Sequence, residues 1–96
     1  MKGWKFTNSD GKSFYDPTTD YRSHLGRWMV HPDTSGNNGY YLGKTLSATR
    51  GYATPDAVFE CFYLKRDVIH DMGNAVCVKR LRVEREHRLL RGKVIL

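Results

Sequence analysis

Gly39-Tyr40-Tyr41-Leu42-Gly43-Lys44-Thr45-Leu46-Ser47-Ala48-Thr49-Arg50-Gly51-Tyr52-Ala53 is the stretch on which the fold turns. Its aromatic and apolar opening, Tyr40-Tyr41-Leu42, favours a short strand. Ser47 is a suitable helix N-cap, and Ala48 to Ala53 would form the helix behind it. Gly51 weakens that helix by about 1 kcal/mol relative to Ala, so it is short. Thr54-Pro55-Asp56 ends it, because the residue before proline disfavours the helical conformation. This stretch therefore predicts a strand-to-helix hinge in mid-chain.

Strands are expected on both sides of the hinge. Thr54 as N-cap with Pro55 at the first helical position would start a helix over Ala57 to Lys65. The body of that segment, Val58-Phe59-Glu60-Cys61-Phe62-Tyr63-Leu64, is β-branched and aromatic and of strand length, which favours a strand. Arg66 to Asp71 reads as a partly extended connection and Met72-Gly73-Asn74 as a turn. Ala75 to Glu84 has the clearest strand pattern, with Val76, Val78, Leu81 and Val83. Its alternation changes phase at Lys79-Arg80, which implies a β-bulge or a strand passing from one environment to another. A helix over Lys79–Arg91 competes, since Arg, Leu, Glu and Lys are good helix formers; the valines favour the strand. Arg88 to Gly92 is expected to turn the chain into a terminal strand, Lys93-Val94-Ile95-Leu96.

Before the hinge, Trp4 and Phe6 fall on one side of a short strand and Lys5 on the other. Asn8-Ser9-Asp10-Gly11 is a turn signal, and Lys12 to Tyr15 would return as the second arm of a hairpin. Asp16-Pro17-Thr18-Thr19-Asp20 breaks the pattern. Arg27-Trp28-Met29-Val30 reads as a strand led in by Ser23 to Gly26. His31 to Gly39 carries Pro, Gly, Asn and Ser and reads as a surface loop. The expected class is α+β: one domain over residues 1–96, mostly antiparallel sheet, with one short helix packed against it.

Composition bounds the function. Ninety-six residues make one domain with a modest core. The 40% hydrophobic and 12% aromatic content is that of a globular chain. Cys61 and Cys77 are too few for a disulfide framework and read as free thiols. They would meet only from neighbouring strands with suitable geometry. Met1 to Phe6 lacks the apolar run of a signal peptide, and no hydrophobic stretch is long enough to span a bilayer. The expected location is the cytoplasm, that of a host if the protein is phage-encoded. The net charge of +6 is concentrated in the last third: residues 1–64 carry +1 and residues 65–96 carry +5. That asymmetry favours an acidic partner, namely nucleic acid, an anionic protein face or a phosphate-bearing ligand. Its bland counterpart is a solubilising face.

No motif names a reaction. His24, His31, His70 and His87 lack zinc-site spacing, and neither P-loop, G-x-S-x-G nor G-x-G-x-x-G is present. No cofactor is implied. His70 and Asp71 are sequence neighbours, which on a strand point to opposite faces, and Cys61 sits in an apolar run. The basic residues Lys79, Arg80, Arg82, Arg85, Arg88, Arg91 and Lys93 are the main binding candidates. Arg80 and Arg82 share one strand face, and Arg88 and Arg91 would extend it if the chain folds back after Glu86. Arginine suits bidentate contact with carboxylate or phosphate, although Glu84 and Glu86 interrupt the run. Nucleic-acid binding calls for aromatics interleaved with the basic groups. Here the aromatics, Tyr40 and Tyr41 among them, lie outside the basic segment.

Gly39-Tyr40-Tyr41-Leu42-Gly43, followed by Ser47-Ala48 and Tyr52-Ala53, resembles the middle motif of ADP-ribosyltransferase-like domains. The chain is more similar to an uncharacterised small domain family of bacteriophages and actinobacteria. Members of that family open on a Met-Lys-aromatic-Lys strand, here Met1-Lys2-Gly3-Trp4-Lys5-Phe6. They continue through the glycine-led strand and short helix, then an Asp-Val-apolar step, here Asp67-Val68-Ile69, and a basic strand, here Val78 to Val83. The transferase resemblance implies Tyr40 or Tyr41 at a middle position and Glu84 or Glu86 on a late strand. The first strand departs from it, offering Lys2, Trp4 and Lys5 but no His or Arg, which puts NAD binding in doubt. The phage-type resemblance implies a small non-enzymatic binding protein, an inhibitor of a host defence complex. Its partner would be a host protein or protein–nucleic acid complex with an acidic face. The alternatives are a nucleic-acid-binding accessory protein using the basic third and an ADP-ribosyltransferase-like enzyme. The expected contact residues are Lys79, Arg80, Arg82, Arg85, Arg88, Arg91, Tyr40 and Tyr41.

Overall fold

Val76 and Val78, and again Leu81 and Val83, are fully buried on either side of an exposed Lys79. One strand pattern with a single polar interruption thus serves two places in the sheet. A computed structural model describes residues 1–14, 16–33, 35, 36, 38–46, 57–90 and 93–95. Its strands are β1 (Lys2–Thr7), β2 (Trp28–Val30), β3 (Tyr40–Gly43), β4 (Ala57–Phe62), β5 (Val68–Asp71), β6 (Ala75–Val78), β7 (Arg80–Leu90) and β8 (Lys93–Ile95). They run in the order β2-β7-β4-β1-β3-β6-β5, with β8 paired to β7, and every named pair is antiparallel.

β6 and β7 are joined by Lys79 alone, yet β3, β1 and β4 lie between them in the sheet. The sheet must therefore curl until its two ends meet at this corner, as strands do when they switch layers in orthogonally packed sheets. The corner is pinned from both sides. The Lys79 N–H donates to the Asp67 carbonyl at 2.9 Å, and the His31 N–H donates to the Lys79 carbonyl at 2.9 Å. The Asp67 carboxylate, 4% exposed as a residue, accepts from Arg80 Nε at 3.1 Å. The phase change marks a corner between two strands rather than a bulge within one, and Val76, Val78, Leu81 and Val83 all join the same core. A bulge sits instead between Glu60 and Cys61, where β4 faces β7.

The concave side closes over the main core, built from Met29, Leu42, Phe59, Val76 and Leu81 with their neighbours and Tyr21. On the convex side of β1 and β4, Trp4, Phe6 and Val58 form a second cluster covered by Phe14 and Leu46. Among the described residues the fold is an antiparallel sheet, which corrects the expected α+β class: no helix of seven or more residues packs against it, and the only helical turns are two 3-10 turns, at Arg22–His24 and Lys65–Asp67. The helix expected over Ala48 to Ala53, with its Ser47 cap, lies outside the described residues.

The strand reading of Ala57 to Lys65 holds as β4, and Lys79–Arg91 is strand rather than helix as far as Leu90. The Asn8–Gly11 turn forms, with Gly11 at φ 81°. The hairpin after it does not. The following segment pairs with itself instead: Ser13 N–H donates to Thr19 O at 3.0 Å and Tyr21 N–H to Gly11 O at 2.9 Å. Arg88 to Leu90 stays in β7 and pairs with β8 rather than turning; Arg91 and Gly92 lie outside the described residues. Cys61 and Cys77 are buried free thiols on β4 and β6, with β1 and β3 between those strands. Burial pushes the Cys61 thiol up to about 12, so it is an inert core group. No described helix is long and apolar enough to cross a membrane.

Candidate functional site

β7 carries the basic run, and the sheet order places β2 on one side of it and β4 on the other. Trp28 therefore stands opposite Arg82, Val30 opposite Arg80, and Phe62 opposite Arg82 from the far side. Cross-strand neighbours on one face lie about 4.5–5.5 Å apart, within reach of long side chains. The Arg80 guanidinium lies 4.9 Å from the Trp28 ring centroid and that of Arg82 lies 5.4 Å from it. Arg82 also covers Phe62 at 5.1 Å, and Phe62 meets Trp28 edge-on at 6.3 Å. Both guanidiniums are fixed from their other edges. Arg80 is bound to Asp67, and Arg82 Nη2 reaches Glu84 Oε1 at 2.6 Å. Trp28 remains 40% exposed and Val30 67% exposed, both on the strand that ends the sheet order.

Farther along the same face, beyond the bulge, Glu60 is buried within a polar cluster. It accepts from His87 Nε2 at 3.1 Å and lies 3.6 Å from Arg85 Nε and 3.8 Å from Lys2 Nζ. The His87 ring rests against Trp4 at 5.3 Å between centroids.

The structure thus gathers part of the expected contact set. Arg80 and Arg82 share a face, as their spacing implies. Arg85 continues it on the other side of the bulge, and Lys79 is exposed at the corner. Arg88 pairs with Ile95 in the β7–β8 ladder, and Arg91 lies outside the described residues. Tyr40 and Tyr41 are not part of this face, since β4 and β1 separate their strand from β7. Tyr40 points into the core at 8% exposure, while Tyr41 is exposed on the opposite side of β3. The aromatics that join the arginines are Trp28 and Phe62. Sequence reasoning sought aromatics within the basic segment, whereas sheet order supplies them from β2 and β4. The usable signal was Trp28-Met29-Val30, whose alternation buries Met29 and leaves a tryptophan facing outward.

The carboxylates of the transferase resemblance are engaged elsewhere. Glu84 is held by Arg82, and Glu86 receives both Arg22 Nε at 2.9 Å and Nη2 at 3.0 Å. Both lie on β7, with β4 and β1 between them and the strand of Tyr40 and Tyr41.

A second feature lies between β1 and β3. Their only register pair is Trp4 with Gly43, and past it the strands part. A cavity of about 450 Å³ occupies the opening, lined from both strand faces and from the loop carrying Ser13 to Thr19. Lys5, opposite Phe59 on the concave face, reaches across the opening to donate to the Tyr41 carbonyl at 3.3 Å. Its ammonium also lies 5.8 Å from the centre of the Tyr21 ring. Burial holds the Lys5 ammonium below the usual lysine range, partly offset by the Cys61 and Asp16 groups.

Compared with family models, curated proteins and solved structures, the chain matches none.

Proposed function

We propose that the protein is a non-enzymatic binding module that docks on an acidic protein surface through the β2–β7–β4 face. The observation that carries this reading is the exposed Trp28 stacked against Arg80 and Arg82. Tryptophan and arginine dominate the energetics of protein interfaces, and an anchor held in place before contact loses little entropy on binding. Asp67, Glu84 and the sheet already hold this anchor. Val30, opposite Arg80, adds apolar area beside it.

The ion pairs also favour a protein partner over nucleic acid. Tracking phosphates calls for free cations, whereas Arg80 and Arg82 each already carry a carboxylate and part of the Trp28 ring is covered. Such a surface suits a partner whose carboxylates extend the existing network. The inhibitor role implied by the phage-type resemblance supplies a setting for this docking and rests on that resemblance alone. Nucleic-acid binding keeps one observation in its favour, the interleaving of Trp28 and Phe62 with Arg80 and Arg82.

The two readings separate in a capture experiment with immobilised protein and nuclease-treated host lysate. The expected result is a retained protein whose capture survives nuclease and falls at least about thirtyfold with Trp28→Ala, as for an anchor worth ~2 kcal/mol. Recovery that disappears on nuclease treatment overturns the proposal in favour of nucleic acid.

A further inference from the structure

We propose that the opening between β1 and β3 is a binding site for a small aromatic carboxylate, with Lys5 as its anion-binding group. At about 450 Å³ the cavity falls within the size range of small-molecule sites. Phe6, Phe14, Tyr21 and Tyr40 supply aromatic walls. Such walls favour a flat ring, through offset or edge contacts.

The charge on Lys5 selects the polar end of the ligand. Its stem stands opposite Phe59 in the interior, and among the described residues no carboxylate lies within ion-pairing distance of its ammonium. The acidic group that shares the cavity lining, Asp16, is engaged by its own loop: Oδ1 accepts from the Thr18 N–H at 3.1 Å and Oδ2 from the Thr19 hydroxyl at 2.7 Å. His31, which also lines the cavity, rests edge-on against Tyr40 at 5.0 Å. A half-buried ammonium whose partner is a backbone carbonyl is costly unless an anion joins it. The depressed Lys5 proton affinity agrees with that cost. A ligand carboxylate would complete the pair with a charge-assisted hydrogen bond, and the ring behind it would fill the aromatic opening. This site is separate from the docking face, and neither proposal depends on the other.

The test compares 2-naphthoate with its neutral counterpart 2-naphthamide, each titrated into isotope-labelled protein and followed by amide NMR. The acid is expected to bind about tenfold or more tightly than the amide, the margin of one charge-assisted hydrogen bond. Its largest shifts are expected at Lys5, Tyr21, Tyr40 and Leu42. In Lys5→Met the advantage of the acid disappears while the amide binds as before; in Lys2→Met, a surface lysine, the advantage remains. Equal affinity of acid and amide for the unaltered protein overturns the proposal, as do shifts centred elsewhere or no shifts at millimolar probe. The acid–amide comparison needs no variant, so it stands even if a substitution fails to fold.

Discussion

Gly3 lies on β1 where Leu42 of β3 passes closest. A Cβ placed on it would stand 2.8 Å from Leu42 Cδ1 and 2.9 Å from Leu42 Cβ. Both atoms belong to a fully buried side chain that has no room to give. Gly3→Ala is therefore expected to cost about 1–3 kcal/mol in denaturant unfolding, the usual cost of overpacking. Two positions on, Lys5 turns its charge toward the same interior. Its folded-state value is lowered from 10.5, so between the lowered value and 10.5 the unfolded chain binds more protons. Stability then rises with pH across that window and loses this contribution below it. Lys5→Met is expected to remove the rise and to stabilise the protein at neutral pH by about 1–2 kcal/mol, as when a buried charge gives way to an apolar group. Unfolding curves at several pH values check both effects. The alternation of Trp4, Lys5 and Phe6 was legible in the sequence. Which side of β1 faces the larger core was not, because a lone lysine opposite two aromatics reads as the solvent side until the curl of the sheet is known.

At the scale of elements, the corner at Lys79 decides the topology. The change of phase there was visible in the alternation of Val76, Val78, Leu81 and Val83. Telling a corner from a bulge required knowing that β7 leaves β3 and β5 behind and takes β2 and β4 as neighbours. The partner that pins the corner, Asp67, was hidden in a connection of mixed polarity. Asp67→Asn weakens the hold on Arg80 and is expected to cost about 1.5–3 kcal/mol, the range for a hydrogen bond to a charged group. A double-mutant cycle with Arg80→Met is expected to give a coupling well above the few tenths typical of independent sites. The expected α+β class gives way, among the described residues, to an antiparallel sheet with two 3-10 turns. Ser47 and its successors are local signals, but whether a sheet needs a covering helix depends on how far it curls, and curl is set by long-range pairing.

At the scale of the molecule, three arginines of the basic last third, Arg80, Arg82 and Arg85, come to share one face of the sheet. The arginines were legible as a group on β7; their union with Trp28 and Phe62 was not, because it arises from strands distant in sequence. Trp28, the proposed anchor, is 40% exposed and keeps the rest of its ring against Arg80, Arg82 and Phe62. Trp28→Ala is expected to lower unfolding free energy by about 1–2 kcal/mol, through the lost ring and guanidinium contacts, while capture of the partner falls by about thirtyfold or more. The most direct measurement uses the fact that the chain has two tryptophans, Trp4 and Trp28. In a Trp4→Phe background the emission belongs to Trp28 alone. On addition of the nuclease-treated partner, that emission is expected to move to the blue and to become shielded from acrylamide. A bound partner that leaves the position and quenching of the Trp28 emission unchanged would contradict docking through this face.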